Sequence, residues 1–138
     1  MENSEVLEVL EQVLAERGEV VVPACGFSMG TAWRRAGQLR IRPSEGVFRL
    51  GAVVVFRRED HWVAHRILAR RKTVAGEVEF ITKGDATGVC DHPPVALREV
   101  VGVVTEVIDA AGRIQPVNTL FRRWTGWLCC LLRRRFSA

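Results

Sequence analysis

The chain has 138 residues, 48% of them hydrophobic and 26% charged, which suits one folded domain with a sizeable core and excludes a second catalytic domain. Its net charge of +4 is unevenly held, with glutamates crowding the first 19 residues and arginines crowding the end at Arg122-Arg123 and Arg133-Arg134-Arg135. The four cysteines (Cys25, Cys90, Cys129 and Cys130) form no Cys-x-x-Cys pair, so neither a zinc site nor a disulfide framework is suggested, no metal or cofactor is expected, and the thiols read as reduced.

No run reaches the roughly 18 apolar residues needed to span a bilayer. The first residues, Met1-Glu2-Asn3-Ser4-Glu5, are acidic where a secretory signal is basic, so the expected place of the chain is the cytoplasm. Residues 1–18 read as a docking helix. Val6, Leu7, Leu10, Val13 and Leu14 fall at helical spacing, Asn3 or Ser4 can cap the start, and Gly18 is placed to end it.

From Glu19 the pattern changes to short β-branched runs separated by turn residues. Glu19–Val22, Gln38–Arg42, Ala52–Arg57, Trp62–Arg70, Val78–Thr82 and Val100–Ile108 are the expected strands, with Arg113–Val117 as a weaker seventh. A short turn around Thr31–Arg35 is the one helical feature expected between Gly18 and Asn118. Residues 19–117 therefore read as a mostly β domain with many hairpins.

The stretch 118–138 breaks the pattern again. Leu120, Trp124, Trp127 or Leu128, and Leu131 line one helical face between arginines. Two readings stand side by side: a helix docked on the domain, and residues 120–136 lying peripherally in a membrane interface, where Trp and Arg are at home. Nucleic acid is the less favoured partner, because the basic residues cluster at one end and are not interleaved with aromatics.

Three stretches carry residues fit for chemistry. Strand Val20–Val22 runs through Pro23 into Ala24-Cys25-Gly26-Phe27-Ser28-Met29-Gly30, a glycine-assisted turn with a serine in it. Gly26 lets the backbone come close to whatever lies over Ser28, although taken alone Ser28 is a turn serine bonding its own backbone. Within Trp62–Leu68, alternation puts Val63, His65 and Ile67 on one face, where His65 is either a satisfied core residue or a functional one. Thr82–Asp91 is a strand end opening into a glycine-rich loop with two aspartates, Asp85 and Asp91. Serine, histidine and aspartate are the parts of a nucleophile, a base and an orienter. Residue types alone do not choose among the serines, histidines and aspartates present, although His61 and His92 fall in loops and are weaker bases.

These stretches resemble the signal peptidase I superfamily. Gly26-Phe27-Ser28-Met29 with Ala32-Trp33, Gly37 and Leu39 is similar to its serine box, and Gly51-Ala52-Val53-Val54-Val55-Phe56 to the strand that follows. Ala64-His65-Arg66-Ile67-Leu68 resembles its Val-His-Arg-Val box, Phe80-Ile81-Thr82-Lys83-Gly84-Asp85 with Asp91 its Leu-Thr-Lys-Gly-Asp box, and Val100–Val104 its closing strand. The resemblance covers about Val20 to Ile108, with the boxes in order. It implies coiled antiparallel β-sheets, and histidine at position 65 points to the archaeal and endoplasmic-reticulum type, whose general base is histidine where bacterial members carry lysine.

By that resemblance Ser28 is the nucleophile, His65 the base and Asp91 its orienter, with Asp85 a supporting residue or the alternative orienter. Gly26, Phe27 and Met29 form the oxyanion and substrate loop. The activity implied is a serine endopeptidase whose rate rises as histidine loses its proton, with a peptide or protein substrate carrying small residues near the cut. Three departures bear on this. Gly26 stands where many members have a serine that donates to the oxyanion. Gly30-Thr31 replaces a usual proline, and Gly37-Gln38 a usual Gly-Asp. They keep open a binding or adaptor module with weak or lost catalysis, and an autoprotease is the third reading. The missing N-terminal anchor points to a leader peptide or dedicated partner protein as substrate, met in the cytoplasm.

Overall fold

The computed structural model describes residues 4–24, 36–44, 48–85, 88–117 and 120–136. Helix α1, Ser4–Arg17, buries Leu7 and Leu14, with Leu10 and Val13 packed beside them, so the apolar stripe of the sequence is the face that docks. It stops at Gly18, whose φ of 74° suits glycine and whose N–H donates to Leu14 O at 3.0 Å, satisfying a carbonyl the helix would otherwise leave open.

Among the described residues, eight antiparallel strands form one sheet. They are β1 Val20–Pro23, β2 Ala36–Arg42, β3 Val53–Arg58, β4 His61–Lys72, β5 Val78–Lys83, β6 Val95–Ala96, β7 Val100–Asp109 and β8 Ile114–Pro116. The spatial order is β1-β2-β7-β3-β4-β5-β6, with β8 added to β7. The mostly β reading holds, and each of the seven expected strands is present within two residues at either end. The strand that patterning did not suggest is β6, which pairs Phe80 with Val95 and Glu79 with Ala96. Two residues behind a Pro-Pro pair are too few for alternation to register.

The sheet has apolar side chains on both faces. Val53 and Val55 of β3 join Leu7, Leu14, Leu39, Ile41, Trp62 and Ala64 beneath α1, whereas Val54 and Phe56 join Ile67, Phe80 and Val95 on the other side. That double burial is why β3 reads as an unbroken apolar run and not as an alternation. α1 is tied to the sheet by polar contacts as well. Trp62 Nε1 donates to Glu11 Oε1 at 3.1 Å, and Arg57 Nη2 donates to Ser4 Oγ at 2.8 Å.

Helix α2, Leu120–Phe136, docks on β4. The register of β4 against β5 shifts between Ile67 and Ala69, and the carbonyl of the intervening Leu68 accepts from Trp127 Nε1 at 2.9 Å. Trp127 is therefore an anchor, whereas Trp124, against whose ring it stands edge-on at 5.5 Å, is exposed with Leu128. The single helical face expected for this segment is thus two faces, because the indole N–H of Trp127 finds an acceptor on the sheet and turns that residue inward. Among the described residues no helix is long and apolar enough to cross a membrane.

The seat of α2 depends on two glycines. A Cβ on Gly126 would fall on the Arg66 guanidinium, and a Cβ on Gly51 would fall on the Arg123 carbonyl. Gly51 also has φ at 82°, a region L side chains rarely adopt. We expect Gly51→Ala to cost about 1–3 kcal/mol through overpacking, read as a lower urea midpoint with an unchanged slope.

Candidate active site

Adjacent residues of a strand point to opposite faces, and in β4 the pair His65 and Arg66 uses this to hold one loop at two places. The loop leaves β5 at Lys83 and enters β6 at Val95. On one face, His65 Nδ1 lies 2.6 Å from Asp91 Oδ2. On the other, Arg66 makes a bidentate pair with Asp85, Nε to Oδ1 at 3.0 Å and Nη2 to Oδ2 at 2.7 Å, and its Nη1 donates to Gly51 O at 2.8 Å.

Asp91 is fixed by its neighbour on β5. Thr82 Oγ1 donates to Asp91 Oδ2 at 2.7 Å, and the Asp91 N–H donates back to Thr82 O at 2.8 Å. This reciprocal pair pins both the backbone and the carboxylate before His65 is considered. An ionised carboxylate only accepts, so the imidazole nitrogen facing Asp91 is the one that carries hydrogen. A neutral His65 then presents its free lone pair at Nε2, the tautomer a general base needs.

His65 is 6% exposed, low enough that its ring orientation is set by packing as well as by Asp91. The Phe56 ring stands edge-on to it with centroids 6.1 Å apart. The sequence expectation that Val63, His65 and Ile67 share a face agrees with this, since Ile67, Phe56 and Val63 all belong to the core on that side. His92 is exposed, and His61 begins β4 opposite Arg58.

The structure therefore brings together His65 and Asp91 and gives Asp85 to Arg66. Of the two carboxylates left open as orienter, Asp91 is the one paired with the imidazole. Ser28, with Gly26, Phe27 and Met29 of its loop, lies outside the described residues, as does the turn expected at Thr31–Arg35. Cys90 and Cys129 are free thiols. Among the described residues no group of three or more His, Cys, Asp or Glu side chains is arranged to hold a metal.

Two residues of the Thr82-Lys83-Gly84-Asp85 stretch had no role assigned from the sequence. Thr82 has a hydroxyl in a strand rich in β-branched and apolar residues, and its role follows only from the turn that brings Asp91 back beside it. Lys83 is fully buried, with Nζ donating to Gly84 O at 3.2 Å, in a position where a lysine ordinarily reaches solvent. In comparisons with known proteins, no family model matches this chain and no curated protein matches it in sequence.

Proposed function

We propose that this protein is a serine endopeptidase of the signal-peptidase-like kind, acting in the cytoplasm on a leader peptide or a partner protein. The observation that carries the proposal is the buried His65–Asp91 pair at 2.6 Å, with Thr82 backing the carboxylate. A buried imidazole needs a hydrogen-bond partner in any role, and what favours the functional reading is that the partner is a carboxylate held in turn by Thr82. The sequence supplies Ser28 in a glycine turn as the nucleophile for that base, and the resemblance to the signal peptidase I superfamily supplies the order of the boxes. The free thiols of Cys90 and Cys129 suit a reducing compartment.

In this mechanism Ser28 Oγ attacks the scissile carbonyl carbon while His65 Nε2 takes the hydroxyl proton. Asp91 stabilises the imidazolium so formed. The tetrahedral intermediate collapses as the carbon–nitrogen bond breaks and His65 delivers the proton to the leaving amine. Water, deprotonated by the same imidazole, then attacks the acyl-enzyme, and the acid product leaves with Ser28 regenerated.

The test is a peptide pool with small residues at the cut site, read by mass spectrometry, together with a fluorophosphonate probe that acylates activated serines. We expect hydrolysis, an adduct mapped to Ser28, and loss of both in Ser28→Ala. Intact hydrolysis in Ser28→Ala, or no hydrolysis and no adduct in the wild-type chain, would overturn the proposal. In the latter case the adaptor reading gains. A chain that shortens itself on storage, and does so in the wild type only, identifies its own sequence as substrate.

A further inference from the structure

We propose that the outer face of α2 is a docking surface for an anionic lipid bilayer. Trp124, Leu128 and Leu132 are spaced four residues apart and are 55%, 53% and 44% exposed, a continuous apolar row along about 12 Å of helix. The contacts described for the seat of the helix come from other residues: Trp127 on Leu68 O, Gly126 over the Arg66 guanidinium and the Arg123 backbone against Gly51. The row therefore faces water at a hydrophobic cost that packing within the domain does not require.

Charge identifies what covers it. From Asn118 to Ala138 the sequence carries five arginines and no aspartate or glutamate; Arg123 is buried, and the other four, Arg122 and Arg133-Arg134-Arg135, stand on either side of the row in sequence. Tryptophan and leucine between cationic ends suit the headgroup boundary of a membrane bearing negative charge. Helix α1 provides the contrast within the same molecule. Its exposed Val6 and Val9 sit among Glu5, Glu8 and Glu11, a setting an anionic surface repels.

Other occupants fit less well. A row of three side chains is far narrower than the roughly 800 Å² per partner of a stable protein interface, which disfavours a second copy. Exposed leucines offer nothing to a phosphate backbone, which disfavours nucleic acid. The inference does not rest on the peptidase reading, and its readout is binding alone.

The experiment is flotation of the full chain with vesicles of phosphatidylcholine alone or with a quarter phosphatidylglycerol, at low and high salt. We expect flotation with the anionic vesicles, weaker with the neutral ones, and weaker again as salt screens the arginines. The double variant W124E/L128E changes two exposed positions and should keep its circular dichroism and melting temperature while binding at least about tenfold less. Acyl-brominated lipids should quench fluorescence in W127F, which keeps Trp124, and quench far less in W124F. No flotation of the wild-type chain, or wild-type flotation by W124E/L128E, overturns the proposal. So does lipid-free dimerisation that W124E/L128E abolishes, or binding to duplex DNA without binding to vesicles.

Discussion

On the proposed peptidase mechanism, Asp91→Ala is expected to lower the turnover of peptide substrates by about 10⁴-fold, the scale seen when the orienting carboxylate is removed from a serine-peptidase triad. Both Thr82 Oγ1 and His65 Nδ1 converge on the same atom, Asp91 Oδ2. Alanine removes the acceptor for both, leaves the imidazole free to turn or to take the other tautomer, and withdraws the charge that stabilises the imidazolium. Asp91→Asn is a different case. Its amide can donate to the imidazole and hold the tautomer that carries hydrogen at Nε2, so the loss should be on the same scale as that of alanine, about 10⁴-fold, with the geometry kept. Steady-state kinetics on the three proteins, each shown to be folded by circular dichroism, reads the series. Activity in Asp91→Ala within tenfold of wild type would remove Asp91 from the mechanism.

Asp85→Ala is expected to strike stability instead. It strips the bidentate carboxylate from a guanidinium whose side chain is only 5% exposed, and breaking a buried ion pair from one side costs about 3–5 kcal/mol. Urea unfolding measures it. The paired replacement R66M/D85A removes both charges and should recover a good part of the loss, since a buried ion pair is often matched by apolar residues of similar volume. A double variant as unstable as Asp85→Ala alone would show that Arg66 matters through its bond to Gly51 O and its seat beneath α2 rather than through its charge pairing. Per folded molecule, Asp85→Ala should lose less hydrolysis than Asp91→Ala, which separates the two aspartates of one loop by the property each controls.

The strands were legible where burial followed a simple rule. Val53-Val54-Val55-Phe56 is apolar throughout because β3 lies between two cores, and Trp62-Val63-Ala64 is apolar for the same reason, Trp62 and Ala64 in one core and Val63 against the other. Strand β6 was not legible, since two residues carry no period and its pairing with β5 is a property of the chain returning, not of Val95 or Ala96. At the site, a histidine on an apolar strand face and two loop aspartates were visible as candidates. Which aspartate meets the imidazole was not fixed by residue type. The parity of β4 decides it, since His65 and Arg66 face opposite ways and each takes the carboxylate on its own side. The two faces of α2 were hidden for a similar reason: Trp124 and Trp127 fall close together on a helical projection, and only the Leu68 carbonyl at an irregular point of β4 separates them.

The ladder at the middle of the sheet joins distant parts of the chain. β2 pairs with β7 from Ala36 against Asp109 to Arg42 against Val103, and Arg40, 66 residues from Glu106, forms an ion pair with it. β3, β4 and β5, by contrast, are successive hairpin partners. On a ribosome, which delivers roughly 5–20 residues each second, the three-stranded meander can close as soon as it emerges, whereas the β1–β2 pair waits several seconds for β7. During that interval Leu39 and Ile41, both fully buried in the finished protein, have no β7 beside them. The nascent chain is then most exposed to chaperones and to aggregation through its first strands, and the arrival of Val100–Asp109 ends that exposure.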